Sequence, residues 1–453
     1  MGAVGLASWR AHHGGNVPSA ILCISGSELT RGETKDLNGS FLGAHLTSLG
    51  VRVVETVFVP DDPELLLAAV RGAIAKADIV VMSGGLGPTA DDHTVAVLSR
   101  LFGRPIVRHE ESRRRMRERA LARGFTDETI PDNFYKQSEV IEGAEPLLNA
   151  EGLAPGMLIR TDRGVLAVLP GVPREMQVMF TRLVAPRLGE RFRLEPPRIL
   201  RAKIMGMGES WAEGRIQKLG IDFGRLEYGI SAKPGELLVK FTAHRAEDHA
   251  ALERARRLLE GEFGQDLIPL PEGLLGPDGA ALETDHAFVV HKRLLEAKST
   301  LAAAESCTGG QIAKELTDHA GSSEYFLGGV VAYSNKSKEA LLGIPHGLIE
   351  AHGAVSEEVC GAMACGAAAR FGADYAVATT GVAGPGGGTE KKPVGLVYLA
   401  VAGRIETAPP ATDTFYEVTV ERQNFRGSRA VVRQLATVRA LDLLRRRLED
   451  DGG

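Results

Sequence analysis

An apolar run that ends in a glycine-rich turn decides the fold class: residues 78–88 read DIVVMSGGLGP. Successive apolar residues of this kind are typical of a strand buried on both faces, as in parallel sheets. A similar run followed by serine and glycine, AILCISGS, occupies residues 20–27. Helical periodicity at residues 63–76 lies between the two runs, so the sequence predicts an α/β fold with a mostly parallel, doubly wound sheet.

The length of 453 residues exceeds what one hydrophobic core usually organises. We predict a three-layer doubly wound domain at residues 19–190, a small α+β domain at residues 195–270 and a second α/β domain at residues 284–450. Residues 268–281 are rich in proline, glycine and leucine and are interpreted as a linker. Residues 1–18 lack the apolar segment of a signal peptide and are interpreted as a flexible extension or a misassigned start.

Composition and charge indicate which partners and which cellular compartment to expect. The net charge of -5 shows no basic excess, so a nucleic-acid partner is not expected. No apolar run approaches the ~20 residues that span a bilayer, and four scattered cysteines without metal-ligand spacing favour the cytoplasm. The arginine-rich residues 108–124 leave a nucleic-acid patch open, although interleaved Glu110, Glu111 and Glu118 favour a solvated helix face.

The third domain places a serine between a strand and a helix, because residues 304–310 read AESCTGG. Ser306 would lie at the carboxyl edge of the sheet, beside helix amides that can stabilise an oxyanion or a phosphate. A serine nucleophile needs a base, and Lys338 can serve if burial lowers its pKa. The alternative, in which Ser306 only caps a helix and Lys338 is solvated, stays open on spacing alone.

The glycine-rich turn of the first domain carries two carboxylates, since residues 84–94 read GGLGPTADDHT. Glycines allow the backbone to approach a ligand closely, and amides at a helix start can hold phosphate. Asp91 and Asp92 can carry a divalent cation that bridges phosphates. They can also merely favour the start of a helix. The neighbouring glycines favour the ligand-binding interpretation.

Six motifs in the third domain together resemble the C-terminal domain of the CinA family, which also occurs alone as a nicotinamide-nucleotide amidase. They are AESCTGG at 304–310, GSS at 321–323, YSNKSK at 333–338, GAVSE at 353–357, TGVAGP at 380–385 and FRGSR at 425–429. The resemblance implies deamidation of nicotinamide mononucleotide without a cofactor. It assigns the nucleophile to Ser306, the base to Lys338 and an assisting role to Tyr333.

Substrate contacts in this domain are expected around the nucleophile and at a second glycine-rich turn. The nucleotide phosphate needs amide donors or cations, which a backbone nest at residues 384–388 and either Arg429 or Arg433 of the closing helix can supply. A plain turn at residues 384–388 remains the alternative. The expected contacts are Thr308, Gly309, Gly310, Gly384, Gly386, Gly387 and Arg429.

The first domain resembles the MoaB/MogA-type molybdopterin-binding domain that begins CinA proteins. The matching motifs are GSEL at 26–29, GGLGPTADDHT at 84–94, NFYKQ at 133–137, APG at 154–156 and LPGVPREM at 169–176. The resemblance implies hydrolysis of ADP-ribose at its pyrophosphate with a divalent metal, Mg²⁺, held by Asp91 and Asp92. The expected nucleotide site comprises Gly26, Glu28, Gly84, Gly85, Gly87, Thr89, Asp92, Lys136, Pro170 and Glu175.

The middle domain resembles the KH-like connecting domain of CinA proteins. Its glycines at 206 and 208 are one residue apart, so the Gly-x-x-Gly loop of nucleic-acid-binding KH modules is absent. We interpret it as a structural or dimerisation element, in keeping with the homodimer that the resemblance implies. Two other functions stay open: a molybdopterin-type binding protein and a non-enzymatic adaptor in competence or DNA repair.

Overall fold

The computed structural model describes residues 17–276, 282, 285–405 and 415–451. Most of the predicted extension at residues 1–18 and the end of the predicted linker, residues 277–281, lie outside the described residues. The first and third domains each have a sheet of parallel and antiparallel strands covered by helices, and the middle domain has an antiparallel sheet. This architecture confirms the predicted mixed α/β fold class.

The first domain is built on a six-stranded sheet. Its strands are β1 Ser19–Ser25, β2 Arg52–Val59, β3 Ile79–Ser83, β6 Glu145–Leu147, β7 Gly156–Arg160 and β8 Val165–Leu169, with a separate pair β4 Ile106–Arg108 and β5 Glu139–Ile141. The order is β2-β1-β3-β8-β7-β6. Strands β1, β2, β3 and β8 are parallel, whereas β7 and β6 add an antiparallel edge.

Helices cover both faces of this sheet. They are α1 Ser27–Thr30, α2 Asn38–Ser48, α3 Pro63–Lys76, α4 Thr94–Phe102, α5 Glu110–Ala122, α6 Pro173–Met179 and α7 Ala185–Phe192, with a π-helical turn Phe180–Val184 before α7. Every residue of β3 and β8 is buried, and the two faces of the sheet belong to separate apolar clusters. The unbroken apolar runs of the sequence therefore correspond to strands covered on both sides.

The middle domain is an antiparallel sheet with two helices. Its elements are β9 Arg198–Met205, α8 Glu209–Ile216, β10 Glu227–Lys233, β11 Glu236–Ala243, α9 His249–Phe263 and β12 Leu267–Pro269. The strand order is β10-β11-β9-β12. A short 3₁₀ segment, Ala246–Asp248, leads directly into α9. The KH-like assignment stays a prediction.

The third domain has a five-stranded sheet in the order β14-β13-β15-β16-β17, of which the first three strands are parallel. The strands are β13 Leu301–Glu305, β14 Phe326–Val331, β15 Tyr375–Gly381, β16 Leu396–Ile405 and β17 Phe415–Asn424. The helices are α10 His286–Ala297, α11 Gln311–Thr317, α12 Asn335–Leu342, α13 His346–His352, α14 Glu357–Phe371 and α15 Arg429–Asp451.

Helices also cover this second sheet on both faces. The long α15 and α10 pack on one face and α14 on the other. Because β13 is central and parallel to both neighbours, its carboxyl end opens at the edge where α/β folds bind ligands. Helix α15 also contacts the middle domain, where Arg445 donates to the Gln265 carbonyl over 2.8 Å.

Candidate active sites

The nucleophile turn connects β13 to α11. Ser306 follows the last residue of β13, and its amide donates to the Thr379 carbonyl of β15 over 3.0 Å. Helix α11 begins only at Gln311. Its N-cap residue is Gly310, which has no side chain to cap the helix. The alternative that Ser306 caps this helix is therefore wrong, because its hydroxyl is directed elsewhere.

The carboxylate of Glu305 performs the capping function. It is 1% exposed and accepts three backbone hydrogen bonds, from Gly310 (2.9 Å), Ile312 (3.1 Å) and Ala313 (2.9 Å). An anion at this point satisfies amides that an α-helix leaves unpaired at its start. Glu305 thus clamps both ends of the turn that holds Ser306, a function that the motif alone did not reveal.

Lys338 is the partner of Ser306. Its Nζ atom lies 3.1 Å from Ser306 Oγ and donates to the Ala332 carbonyl over 2.8 Å. The side chain projects from α12, whose first turn is capped by the Ser334 hydroxyl. Lys338 is only 1% exposed, and burial lowers its pKa by penalising the ammonium form. The alternative of a solvated lysine is wrong.

The residues after Ser306 supply amide donors. Within the described chain, the backbone N–H groups of Cys307 and Thr308 have no protein acceptor. The Thr308 hydroxyl pairs with that of Thr379 over 2.7 Å, and both residues are fully buried. Burial raises the pKa of the Cys307 thiol to about 11, so this thiol stays protonated and is not a competing nucleophile.

The start of α15 links the predicted substrate contacts to this turn. Arg429 donates to the Gly384 carbonyl over 2.9 Å and to the Tyr333 hydroxyl over 2.6 Å. Arg433 donates to the Thr308 carbonyl, with Nε at 3.1 Å. Within the described residues, the Tyr333 hydroxyl contacts Arg429 rather than Ser306 or Lys338. Its predicted assisting role remains untested.

The predicted glycine contacts fall into two groups. Gly309 and Gly310 have φ angles of 64° and 93°, so the turn between β13 and α11 needs residues that tolerate the left-handed region. Gly384 is buried under Arg429, whereas Gly386 and Gly387 lie on an exposed loop. The described contacts do not tie Gly386 or Gly387 to Ser306, and both the nest and the plain turn remain open.

The first domain contains a cleft of about 220 Å³ at the carboxyl ends of β1 and β3. Predicted residues that line it are Gly26, Glu28, Gly84, Gly85, Asp91 and Asp92. Gly84 has a φ of 115°, and a side chain there would collide with the Ser25 carbonyl. The close approach of the two loops that form the cleft therefore depends on this glycine.

Two of the lining residues that were not predicted hold the loops of the cleft together. Asp61, which follows β2, accepts from the Ser25 hydroxyl (3.0 Å) and from the Ser27 amide (2.8 Å), and so holds the loop after β1. Asn38 donates to the Gly171 carbonyl over 2.7 Å and connects α2 to the loop after β8. Asp61 follows an apolar strand at Pro60-Asp61-Asp62, which was the available signal.

Other predicted residues surround the cleft without lining it. Thr89 donates its amide to the Asp92 carboxylate over 2.9 Å and shapes the turn together with Gly87. Lys136 binds the turn from outside through the Thr89 carbonyl (2.6 Å) and the Asp92 carbonyl (3.1 Å). The Pro170 carbonyl accepts from Ser83, and Glu175 accepts from Asn149 over 2.7 Å. These contacts support the loops.

The implied divalent metal fits this cleft as an ion that protein and substrate hold together. Among the described residues, no group of three or more His, Cys, Asp or Glu side chains is arranged to hold an ion. Asp91 and Asp92 both line the cleft. Two carboxylates fit Mg²⁺ when it keeps waters and completes its coordination with substrate phosphates, rather than in a cage made by protein alone.

The arginine-rich stretch forms helix α5, and its charges are largely neutralised. Arg114 pairs with Glu111 at 2.6 Å and with Glu118 at 3.2 Å. Arg117 pairs with Asp127 across the end of the helix. These ion pairs agree with a solvated helix face. In the part of the chain that the structure describes, no helix has the length and apolar character needed to cross a membrane.

Comparison with known proteins accounts for both outer domains. Residues 283–448 match the family described as "CinA C-terminal domain", and residues 20–190 match the "Probable molybdopterin binding domain". A CinA-like protein of Syntrophomonas wolfei is 37% identical over 436 residues, which cover 96% of this chain and 100% of that protein. The chain belongs to the CinA family.

Further CinA relatives extend the likeness. A CinA-like protein of Frankia casuarinae is 37% identical over 437 residues, 95% of this chain and 96% of its own. Among solved structures, the competence/damage inducible protein CihA of Agrobacterium tumefaciens is 35% identical and covers 37% of this chain and 99% of that one, with a TM-score of 0.33. Family membership confirms the MoaB/MogA-like first domain and the CinA-type third domain.

Proposed function

We propose that the third domain is a serine amidohydrolase that converts nicotinamide mononucleotide to nicotinate mononucleotide and ammonia. The observation that carries this proposal is the 3.1 Å contact between Lys338 Nζ and Ser306 Oγ inside a buried site. A neutral lysine amine next to a serine hydroxyl is a known way to activate this nucleophile. The choice of substrate rests on the CinA motifs that surround the pair.

The residues support a two-step acyl transfer. Lys338 donates one N–H to the Ala332 carbonyl, which leaves its lone pair for the Ser306 hydroxyl proton. Ser306 Oγ then bonds to the carboxamide carbon, and the amides of Cys307 and Thr308 are available to stabilise the oxyanion. Lys338 returns the proton as the C–N bond breaks and ammonia leaves. Water hydrolyses the ester, which regenerates Ser306 and releases the carboxylate.

The nucleotide phosphate needs positive charge near this turn. The Arg429 guanidinium donates hydrogen bonds to the Gly384 carbonyl and the Tyr333 hydroxyl, and it has further N–H donors for phosphate oxygens. We propose that Arg429 contacts the phosphate and that Tyr333, exposed and bonded to it, orders the guanidinium. The loop carrying Gly386 and Gly387 can add backbone amides.

Ammonia release from nicotinamide mononucleotide tests the assignment. The wild type is expected to release ammonia without added metal, and Ser306→Ala is expected to reduce kcat by about 10⁴-fold or more because the nucleophile is removed. Ser299→Ala, at the opposite end of β13, is the matched control and should retain full activity. A Ser306→Ala variant as active as the wild type would refute the proposal.

We further propose that the first domain hydrolyses ADP-ribose at its pyrophosphate, with Mg²⁺ held by Asp91, Asp92 and the substrate phosphates. The supporting observation is the juxtaposition of a glycine-lined cleft with these two carboxylates. Bound Mg²⁺ would neutralise phosphate charge, while Gly84 and Gly85 allow close approach of the pyrophosphate. Addition of water across the P–O–P bond gives AMP and ribose 5-phosphate.

Chromatographic detection of AMP from ADP-ribose tests this second activity. Asp92→Asn should reduce it, whereas Asp162→Asn, which changes an exposed carboxylate on the β7–β8 hairpin, should not.

Pterin fluorescence that copurifies with protein inactive on ADP-ribose would favour the molybdopterin-type alternative. DNA association that Arg114→Glu and Arg117→Glu abolish would favour the adaptor. We also propose a cytoplasmic homodimer, which light scattering of the purified chain tests for assembly.

A further inference from the structure

A second cleft lies at the end of the first sheet that is opposite to the nucleotide cleft. Its volume is about 760 Å³. It is lined by the last residue of β7, Arg160, and the first residue of β8, Val165, whereas the nucleotide cleft follows the carboxyl ends of β1 and β3. Leu188 of α7 closes one wall. Nothing in the proposed chemistry uses this cleft.

Four of the twelve lining residues carry guanidinium groups. They come from Arg104, Arg160, Arg187 and Arg191. Arg187 is neutralised by Glu145 at 2.7 Å. Among the described residues, the hydrogen bond of the Arg191 guanidinium goes to the Gly164 carbonyl, at 3.2 Å.

In the described parts of the chain, no carboxylate pairs with Arg104, Arg160 or Arg191. The cleft also contains Glu190, whose carboxylate has no ion pair there. The cleft therefore contains three arginines without an ion pair and one carboxylate without an ion pair, so its lining carries a net positive charge.

Like charges that line one concave surface repel each other, and nearby solvent can relieve this only in part. A bound anion relieves it directly, because the guanidinium fork matches the paired oxygens of phosphate. Leu158, Val165 and Leu188 form an apolar wall of the cleft, whereas Arg160 and Arg191 are exposed and therefore accessible to a ligand. The surface arginines of helix α5 differ, since acidic neighbours on the same helix neutralise them.

We propose that this cleft binds a small phosphorylated ligand that carries at least two negative charges. Arg160 and Arg191 contact the phosphate oxygens, and Arg104 contributes from the loop after α4. Glu190 accepts a hydrogen bond from a hydroxyl group of the ligand. The site is separate from both proposed active sites and does not depend on either activity.

Calorimetric titration of the full chain with inorganic pyrophosphate, in EDTA and at two salt concentrations, tests the proposal. Arg160→Ala/Arg191→Ala should weaken one binding event by about 100-fold, which is about tenfold for each guanidinium that is removed. Binding elsewhere on the chain is the same in all variants, so the difference isolates the cleft. Arg163→Ala/Arg182→Ala removes the same charge outside the lining and should bind as the wild type does.

Three results would overturn the proposal. The first is unchanged pyrophosphate binding by the cleft variant. The second is an equally weakened binding by the control variant, which would show that only net charge matters. The third is citrate binding as tight as that of pyrophosphate, which would remove the preference for phosphate. Equal melting temperatures and equal ammonia release by all variants ensure that weaker binding does not reflect unfolding.

Discussion

The two proposed active sites share one plan and differ in how much of the chemistry the protein itself provides. Each lies at the carboxyl ends of parallel strands, where a glycine-containing turn leads towards a helix. In the third domain, Ser306 and Lys338 are buried and already in contact. In the first domain, Asp91 and Asp92 are on the surface of an open cleft.

The difference follows from the charge that each site must accommodate. A buried lysine next to a serine must be neutral to act as a base, and burial favours the neutral form. Carboxylates that receive a cation act in the charged form, and Asp91 is exposed to water. The third domain is therefore expected to be active without added components, and the first only with metal.

Replacement of the base should give the largest effect that separates the two sites. Lys338→Met keeps the length of the side chain and removes its amine. We expect kcat for ammonia release to fall by about 10³–10⁴-fold, within the usual contribution of a general base. Hydrolysis of ADP-ribose should be unchanged. A parallel decrease in both activities would mean that the substitution disturbs the whole chain, which a melting curve would show.

Replacement of a carboxylate should separate the sites in the opposite direction. Asp92→Asn keeps the shape of the side chain but weakens both the metal contact and the acceptor for the Thr89 amide. We expect ADP-ribose hydrolysis to fall by about 100-fold, and added Mg²⁺ to recover part of it. Ammonia release should not change. If pyrophosphatase activity persists in EDTA, the metal assignment is wrong.

The pH dependence should distinguish the sites more moderately. Burial lowers the pKa of Lys338, and only the neutral amine accepts the Ser306 proton. The value of kcat/KM for ammonia release should therefore rise with pH, about tenfold per unit below the lowered pKa, and level off above it. The residual activity of Lys338→Met should not show this dependence. A profile that falls with increasing pH would contradict a lysine base.

The same shift links Lys338 to stability. The unfolded chain binds a proton on this lysine up to its ordinary pKa, whereas the folded protein releases it at lower pH. The free energy of unfolding therefore rises with pH between these two values. Lys338→Met should weaken this dependence, and its melting temperature at neutral pH should not fall below that of the wild type.

Much of the fold could be predicted because it depends on local patterns. Helix Pro63–Lys76 has the predicted bounds, because a proline in the first turn marks where the helix begins. Strand β17 was not predicted, because alternating exposed residues at an edge give little apolar contrast. The antiparallel edge strand β6 is three residues long and was missed for a similar reason.

The sites were predictable in their motif residues but not in their supports. Ser306 and Lys338 are far apart in sequence, and only the parallel packing of β13 between β14 and β15 brings the turn and helix α12 together. Asp61 and Arg433 act through contacts with loops that are distant in sequence. Such contacts produce no periodic pattern in the sequence. A motif can therefore identify a nucleophile without identifying the residues that position it.

Glu305 offers a smaller test of that support. Glu305→Gln keeps the size but replaces one acceptor oxygen by a donor that faces helix amides. We expect the free energy of unfolding to fall by about 1–3 kcal/mol, the cost of a buried polar group left unpaired. The kcat for ammonia release should fall more than KM rises, because the turn that positions Ser306 loosens. Glu315→Gln, within helix α11 itself, is the control.

The smallest effect is expected from the hydroxyl pair behind the turn. Thr379→Val preserves shape and removes the hydrogen-bond partner of the Thr308 hydroxyl, which lies 2.7 Å away and is fully buried. The net value of such a hydrogen bond is about 1 kcal/mol, so the melting temperature should fall slightly and kcat by less than about tenfold. The double variant Thr308→Val/Thr379→Val leaves no unpaired hydroxyl and should recover stability. If kcat recovers as well, the Thr308 and Thr379 side chains contribute through packing alone. If stability recovers and kcat does not, the Thr308 hydroxyl contributes to the chemistry, and the buried site depends on polar contacts that the open cleft of the first domain does without.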